Sequence, residues 1–241
     1  MARIFLAGAS GLIGQQLVKL LVRAGHEVTG TTRTESRTGL LRALGATPAV
    51  VDAFDAEALR RSVLQQRPDV VLHQLTSLPD NLFSLDAAAQ ERASRENARL
   101  RMEGTANLVA AASASGARRI VAQSTLWIYA AGREPHLESD PLKVDAEGLA
   151  GVTVQGVVAL EEAVLGAPME SVVLRNGSLY GPGTGRDTPR RDPSVHVDAA
   201  ARAAFLAVER GTGVYNVADP GKYASSEKAR RELGWEAAFR L

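Results

Sequence analysis

The chain of 241 residues contains no cysteine, which excludes disulfides, thiolate metal centres and a cysteine nucleophile. No metal site is expected. It has no excess of either charge: 28 Lys and Arg stand against 27 Asp and Glu, with no long basic run, so nucleic acid is not an expected partner. No apolar stretch reads as long enough to span a membrane. The first strand begins at residue 3, leaving no room for a signal peptide, so a cytoplasmic protein without a membrane partner is expected. Internal repeats and low-complexity linkers are also lacking. Apolar residues at 45% and charged residues at 23% mark an ordinary soluble globular chain. The length suffices for one good core, or a large domain with a small lobe.

What is present is organised around Gly8-Ala9-Ser10-Gly11-Leu12-Ile13-Gly14. The apolar run Ile4-Phe5-Leu6-Ala7 precedes it and an amphipathic run over 12–24 follows, so strand, glycine turn and helix are adjacent. Gly8 lets the chain turn out of the strand. Gly11 lets the backbone approach a phosphate, and Gly14 lets helix and strand pack closely. The helix N-terminus then offers free N–H groups and a positive dipole end to a pyrophosphate. This strand–turn–helix context is what a dinucleotide site requires. The next strand, 27–33, ends in Thr32-Arg33, where an NAD-binding protein places an acid on the ribose. An arginine there can pair with a 2′-phosphate, which favours NADP(H) over NAD; Glu35 nearby weighs against it.

Further along, Ala49-Val50-Val51 reads as a strand, Asp55 as the cap of helix 56–66, and Pro68 as its stop. Val70-Val71-Leu72-His73 reads as the fourth strand, with Gln74-Leu75-Thr76 leaving its carboxyl end. His73 reads best as a satisfied histidine at that sheet edge. A long helical pattern covers 85–115 and includes Asn97 and Gly104-Thr105-Ala106-Asn107-Leu108. Strand 119–125 runs into Thr125-Leu126-Trp127-Ile128-Tyr129, a helix follows over 153–165, and strand 170–175 leads to Asn176-Gly177-Ser178-Leu179-Tyr180-Gly181-Pro182-Gly183. Val195-His196-Val197-Asp198 opens a helix over 199–209, Val214-Tyr215-Asn216-Val217 forms a strand, and a last helix capped by Ser225 closes at Gly234-Trp235.

These segments resemble the extended short-chain dehydrogenase/reductases, and more narrowly the NAD(P)-dependent epimerase/dehydratase group. The opening Gly-x-x-Gly-x-x-Gly, the Asn-x(6)-Gly-Thr-x-x-Leu helix, Leu174-Arg175 with Tyr180-Gly181-Pro182-Gly183, His-Val-x-Asp and the terminal Lys-x-x-x-x-Leu-Gly-Trp carry the resemblance over nearly the whole chain. It implies that Gly8, Ser10, Gly11, Leu12, Ile13 and Gly14 hold the cofactor's phosphates and that Asp52 and Ala53 lie against its adenine. Residues 73–76 match the family's His-Leu-Ala-Ala stretch, which puts Leu75 and Thr76 beside the cofactor ribose. Asn176 falls at the nicotinamide end. The family's catalytic hydroxyl, four residues before a tyrosine, maps onto Thr125. Physically, a hydroxyl at a strand's carboxyl end can hydrogen-bond a substrate oxygen beside the nicotinamide. The family also pairs the long helix and the next one across a homodimer interface.

The chain departs from the pattern at the proton-transfer pair, a Tyr and a Lys four residues on. Aligned on Glu161, these places hold Thr153 and Val157. The four tyrosines, Tyr129, Tyr180, Tyr215 and Tyr223, are followed four residues later by Arg133, Thr184, Asp219 and Glu227, so the motif is missing throughout. The lysine normally lowers the tyrosine's pKa for proton shuttling, and neither threonine nor valine can do so. Two segments that build the family's substrate lobe are also short here, between Gly183 and Val195 and between Val217 and Ser225.

The expected fold is a doubly wound α/β parallel sheet of Rossmann type, residues 1–175, with a small C-terminal substrate lobe, 176–241. The expected function is an atypical NADP(H)-binding oxidoreductase or epimerase/dehydratase acting on a small molecule, with Thr125 orienting the substrate. A non-redox cyclase, isomerase or lyase, or a non-catalytic dinucleotide-binding protein, fits the missing pair as well.

Overall fold

The computed structural model describes residues 1–79, 82, 85–190 and 192–241. Seven parallel strands form one sheet: β1 (Arg3–Ala7), β2 (Glu27–Thr32), β3 (Thr47–Val50), β4 (Val70–His73), β5 (Arg119–Thr125), β6 (Glu170–Asn176) and β9 (Gly213–Val217). They lie in the order β3-β2-β1-β4-β5-β6-β9, so the chain winds outward in both directions from β1. This is the doubly wound sheet expected. The reversal between β1 and β4 leaves a crevice at the strands' carboxyl ends, where ligands of such sheets bind.

Strand residues alternate between two buried faces, which is why these strands read as apolar runs. Ile4, Leu6, Val70, Leu72, Val121 and Leu174 face a layer built by α1 (Leu12–Arg23), α2 (Thr38–Ala43) and α7 (Val197–Leu206). Phe5, Val71, Ile120, Ala122 and Val173 face α3 (Ala56–Gln66), α5 (Thr105–Ser115) and α6 (Gly148–Leu165). Small residues let the helices come close: a Cβ on Gly156 of α6 would lie 2.8 Å from the Cα of Ala98 in α4 (Ala87–Arg99).

Helix boundaries follow local chemistry. Asp55 caps α3 by accepting from the Ala58 N–H at 2.9 Å, and Gly45 follows α2 in the left-handed region at φ 90°. The terminal helix ends at Gly234, φ 70°, and Trp235 beyond it is fully buried with its indole N–H on the Ala199 carbonyl at 2.8 Å.

Three features differ from expectation. The long helix is not uniform: α4 passes into α5 through a π-helical turn, Leu100–Gly104. Helix α6 starts five residues earlier than 153, at Gly148, and at 18 residues with mean hydropathy 1.4 it is long and apolar enough to cross a membrane. The expectation that no such stretch exists is thus corrected, although Val154, Val157, Leu160 and Val164 of this helix pack into the protein core. Finally, β7 (Ser178–Tyr180) and β8 (Ser194–His196) make a separate parallel ribbon. Of residues 176–241, β9 and α7 thus join the main sheet and its helical layer, and the ribbon stands beside the crevice.

Candidate functional site

A cleft of about 670 Å³ runs along the carboxyl ends of the central strands. The glycine turn forms its floor. Gly8 has φ 85°, and a side chain there would run into the Gln74 carbonyl. A side chain on Gly14 would run into the Gly8 carbonyl, so this glycine sets the helix–strand approach. Gly11 differs: its Cβ would meet only the Gly8 oxygen, at an ordinary 3.4 Å. The protein's own packing therefore leaves room above Gly11, as a phosphate would need. The N-terminus of α1 has no side-chain cap and no acid in its first turn, so its donors and dipole are available to an anion.

Ser10, Gly11, Leu12 and Ile13 line the cleft with Gly8. At one end of the cleft stand Arg33, Asp52 and Ala53, and further along Leu75 and Thr76. The Asp52 carboxylate accepts from the Phe54 N–H at 2.9 Å and fixes a tight turn. The Ala53 carbonyl accepts from Asn107 at 2.9 Å, which ties this turn to α5. Arg33 is exposed and lies 3.8 Å from Glu96. Arg37 lines the same end and Arg186 also faces the cleft; neither was anticipated from sequence. The loop carrying Arg186 rests on α1, where a Cβ on Gly183 would lie 3.0 Å from Leu12. Gly14 and Asn176 are not part of the wall. Gly14 is packed behind the turn, and Asn176 ends β6 opposite Thr125.

At the other end Thr125 closes β5, half-buried between the lining residues Gln123 and Trp127, and its Oγ1 is 3.5 Å from the Trp127 N–H. Apolar and aromatic side chains of the cleft lining include Leu78, Leu82, Leu179 and Trp127, and the Trp127 ring lies 5.6 Å from that of Tyr223. Gln74 also belongs to this lining. It is 4% exposed, and neither its amide oxygen nor its amide nitrogen has a partner. The buried Asn176 Oδ1 is likewise unpartnered.

Behind Thr125 a buried network fixes the strand end. Glu161 of α6 accepts from the Ser124 hydroxyl at 2.6 Å and from Arg175 at 3.0 and 2.6 Å. Arg175 also donates to the Tyr129 hydroxyl at 2.7 Å, and Tyr129 donates to Asn216 at 2.7 Å. Burial raises the Tyr129 phenol above its ordinary value, with the Arg175 charge opposing, so this tyrosine is no ready acid. His73 is engaged through both ring nitrogens, with Thr105 at 2.8 Å and the Leu75 N–H at 3.3 Å. Burial lowers its pKa to about 4 and keeps it neutral.

The helix register set by Glu161 puts Val157 one turn and Thr153 two turns earlier on α6. Thr153 turns its hydroxyl back onto the Leu149 carbonyl at 3.0 Å, and Val157 is fully buried. Neither carries a titratable group. A cation does sit nearby: half-buried Arg101, from the π-helical turn packed against α6, has its guanidinium lowered to about 10 by burial, with Glu161 opposing.

These features fit a dinucleotide laid from Arg33 across Gly11 toward Thr125: open helix donors and room above one glycine. A profile described as the NAD dependent epimerase/dehydratase family matches residues 4–233. A Streptomyces sp. protein named 3-diazoavenalumate denitrifying reductase is 41% identical over 239 residues, covering 90% of this chain and 76% of that protein. Among solved structures, UDP-glucose 4-epimerase from Thermotoga maritima superposes with a TM-score of 0.76 at 19% identity, covering 99% of this chain and 94% of that one. The Bordetella bronchiseptica enzyme WbmG in complex with NAD gives 0.73 at 20% identity, covering 100% and 90%.

Proposed function

Since the chain belongs to the NAD dependent epimerase/dehydratase family, we propose that it is an NADP(H)-dependent reductase whose acceptor needs hydride but no proton from the protein. The observation that carries this reading is Thr153 and Val157, untitratable side chains at the register of a proton-transfer pair, beside an otherwise intact cleft. Reduced nicotinamide, when bound, supplies the hydride. Gly8 to Ile13 would hold its phosphates, with Gly14 setting the helix behind them, Asp52 and Ala53 its adenine, and Leu75 and Thr76 its ribose. Arg33, with Arg37 on the same wall and no acid at Thr32, supports NADP(H) over NAD.

Carbonyl reduction takes a hydride and a proton. Reduction of a diazonium carbon takes hydride alone: the C–N bond breaks with its electron pair leaving on dinitrogen, and a C–H bond forms from the hydride pair. The Streptomyces relative's name describes removal of nitrogen from a diazo compound. An aryl diazo or diazonium substrate also suits a wall of Trp127, Leu78, Leu82 and Leu179. Thr125 would orient the substrate through one hydrogen bond, and the apolar wall would keep water from the reacting carbon.

The test supplies a hydroxyaryl diazo carboxylate with NADPH deuterated at the transferred position, against heat-inactivated protein. Nicotinamide absorbance should fall, nitrogen should be released and deuterium should appear on the carbon that lost nitrogen. Unchanged absorbance above the inactivated control would overturn the reading. A homodimer through α6 is part of it, because Val152, Val158, Ala159 and Ala163 are only half-buried and Leu165 is exposed on that helix. Sedimentation should give twice the mass of 25.5 kDa.

A further inference from the structure

Four ionic side chains are found among the described residues that line the cleft: Arg33, Arg37, Asp52 and Arg186. The first three lie at the adenine end. Arg186 comes from the C-terminal part of the chain, on the loop that follows β7, and is half-buried.

The start of that loop is a closed turn. The Gly181 N–H donates to the Arg186 carbonyl at 2.7 Å, and the Arg186 N–H donates to the Thr184 hydroxyl oxygen at 3.2 Å. Both backbone groups of Arg186 therefore hold the turn, and what the residue brings to the cleft is its guanidinium. The turn rests on the glycine cradle, since a Cβ on Gly183 would lie 3.0 Å from Leu12, the first residue of α1. Arg186 follows three residues later, no more than about 11 Å along the chain from that contact.

Charge identifies the ligand. A dinucleotide's pyrophosphate carries a negative charge on each phosphate. The N-terminus of α1 answers with N–H donors and a dipole worth about half a positive charge. Its first turn, Leu12-Ile13-Gly14-Gln15, holds no cation. Arg186 is the lining cation whose loop meets the start of α1. A guanidinium offers a planar fork of donors that fits two phosphate oxygens at once. No acid competes for it within the cleft beyond Asp52, the one carboxylate among the described lining residues, at the adenine end.

Resting on the dinucleotide reading above, we infer that Arg186 is a cofactor-binding residue that pairs with the pyrophosphate laid on Gly11. It clamps the cofactor between the turn after β7 and the glycine cradle. A segment that builds the substrate lobe in the resembling family, and is short here, thus serves the cofactor.

Titration of the wild type, Arg186→Gln and Arg186→Lys tests this with NADPH, with 2′-phospho-ADP-ribose, which keeps the pyrophosphate but lacks the nicotinamide, and with 2′-AMP, which lacks both. Arg186→Gln should bind the first two about tenfold more weakly, and to the same degree, with Arg186→Lys in between. Binding of 2′-AMP should be unchanged in both variants, which also shows them folded. Unchanged NADPH affinity in Arg186→Gln, the result expected of an arginine kept for a substrate carboxylate, would overturn the inference. So would weakening toward NADPH alone, or toward 2′-AMP as well. Failure of the wild type to bind any of the three would instead remove the dinucleotide reading, and this inference with it.

Discussion

At the glycine turn the cleft is bounded mainly by backbone, and beside Thr125 mainly by side chains such as Gln123 and Trp127. Gly8 and Gly14 are fixed by the fold itself, because a Cβ at either runs into a carbonyl of the same crevice. Around Thr125 the framework is equally firm: Ser124, Glu161, Arg175 and Tyr129 are bonded into one buried unit. Other side chains nearby stand outside that unit. Thr153, Val157 and Gln74 can differ from their relatives without disturbing any of those bonds. A scaffold of this kind can keep its cofactor cradle and change its chemistry, since the first rests on helix geometry and the second on a few replaceable side chains.

The sharpest break in this comparison comes from two glycines in the same turn. Gly14→Ala should lower stability by about 3 kcal/mol through overpacking and remove dinucleotide binding with it. Gly11→Ala should leave thermal unfolding of the ligand-free protein nearly unchanged, because its Cβ has 3.4 Å of room, yet weaken binding strongly. Melting curves read beside binding titrations separate the two. Equal loss of stability in both variants would show that Gly11 serves the fold rather than a ligand.

A smaller effect is expected at Arg33. Its replacement by alanine should cost about 1.5–3 kcal/mol of NADPH affinity, the worth of a hydrogen bond to a charged group, and leave NADH affinity unchanged. Calorimetric titration of both cofactors decides it; equal affinities in the wild type would point to NAD. The smallest stability effects belong to the Thr125 end. Thr125→Ala should reduce turnover more than it weakens cofactor binding, marking an interaction made in the transition state. Thr153→Ala and Val157→Ala should leave the chemical step largely intact, and the rate should show no limb belonging to a tyrosine. Comparable damage from Thr153→Ala in a folded protein would give α6 a different role.

The sheet was legible because each strand is a short apolar run bounded by glycine, proline or a capping residue, as at Asp55 and Pro68. The cradle was legible because its requirement is for an absence of side chain, which sequence displays directly. Other features left no such trace. The start of α6 was missed because Gly148-Leu149-Ala150-Gly151 has the composition of a loop, and its helix is held by packing. The ribbon of β7 and β8 pairs segments of three residues each, too short for alternation to register. Arg37 and Arg186 reach the cleft from a helical turn and a loop whose paths depend on tertiary contacts. The unpartnered amide of Gln74 is visible only in three dimensions.

The π-helical turn at Leu100–Gly104 has a consequence for how this chain tolerates length changes. One surplus residue is absorbed there, so the helix before and after the turn is out of phase with a single continuous spiral. The two segments serve different clients. Asn97 accepts from the Ser77 N–H at 2.8 Å, while Thr105 meets His73 and Asn107 holds the Ala53 carbonyl. Forcing the turn into regular α-helix at its present length would make a neater helix and a worse protein. Everything after it would rotate by about 100°, carrying Thr105 and Asn107 away from their partners. The irregular turn works as a vernier between the two ends of the cleft.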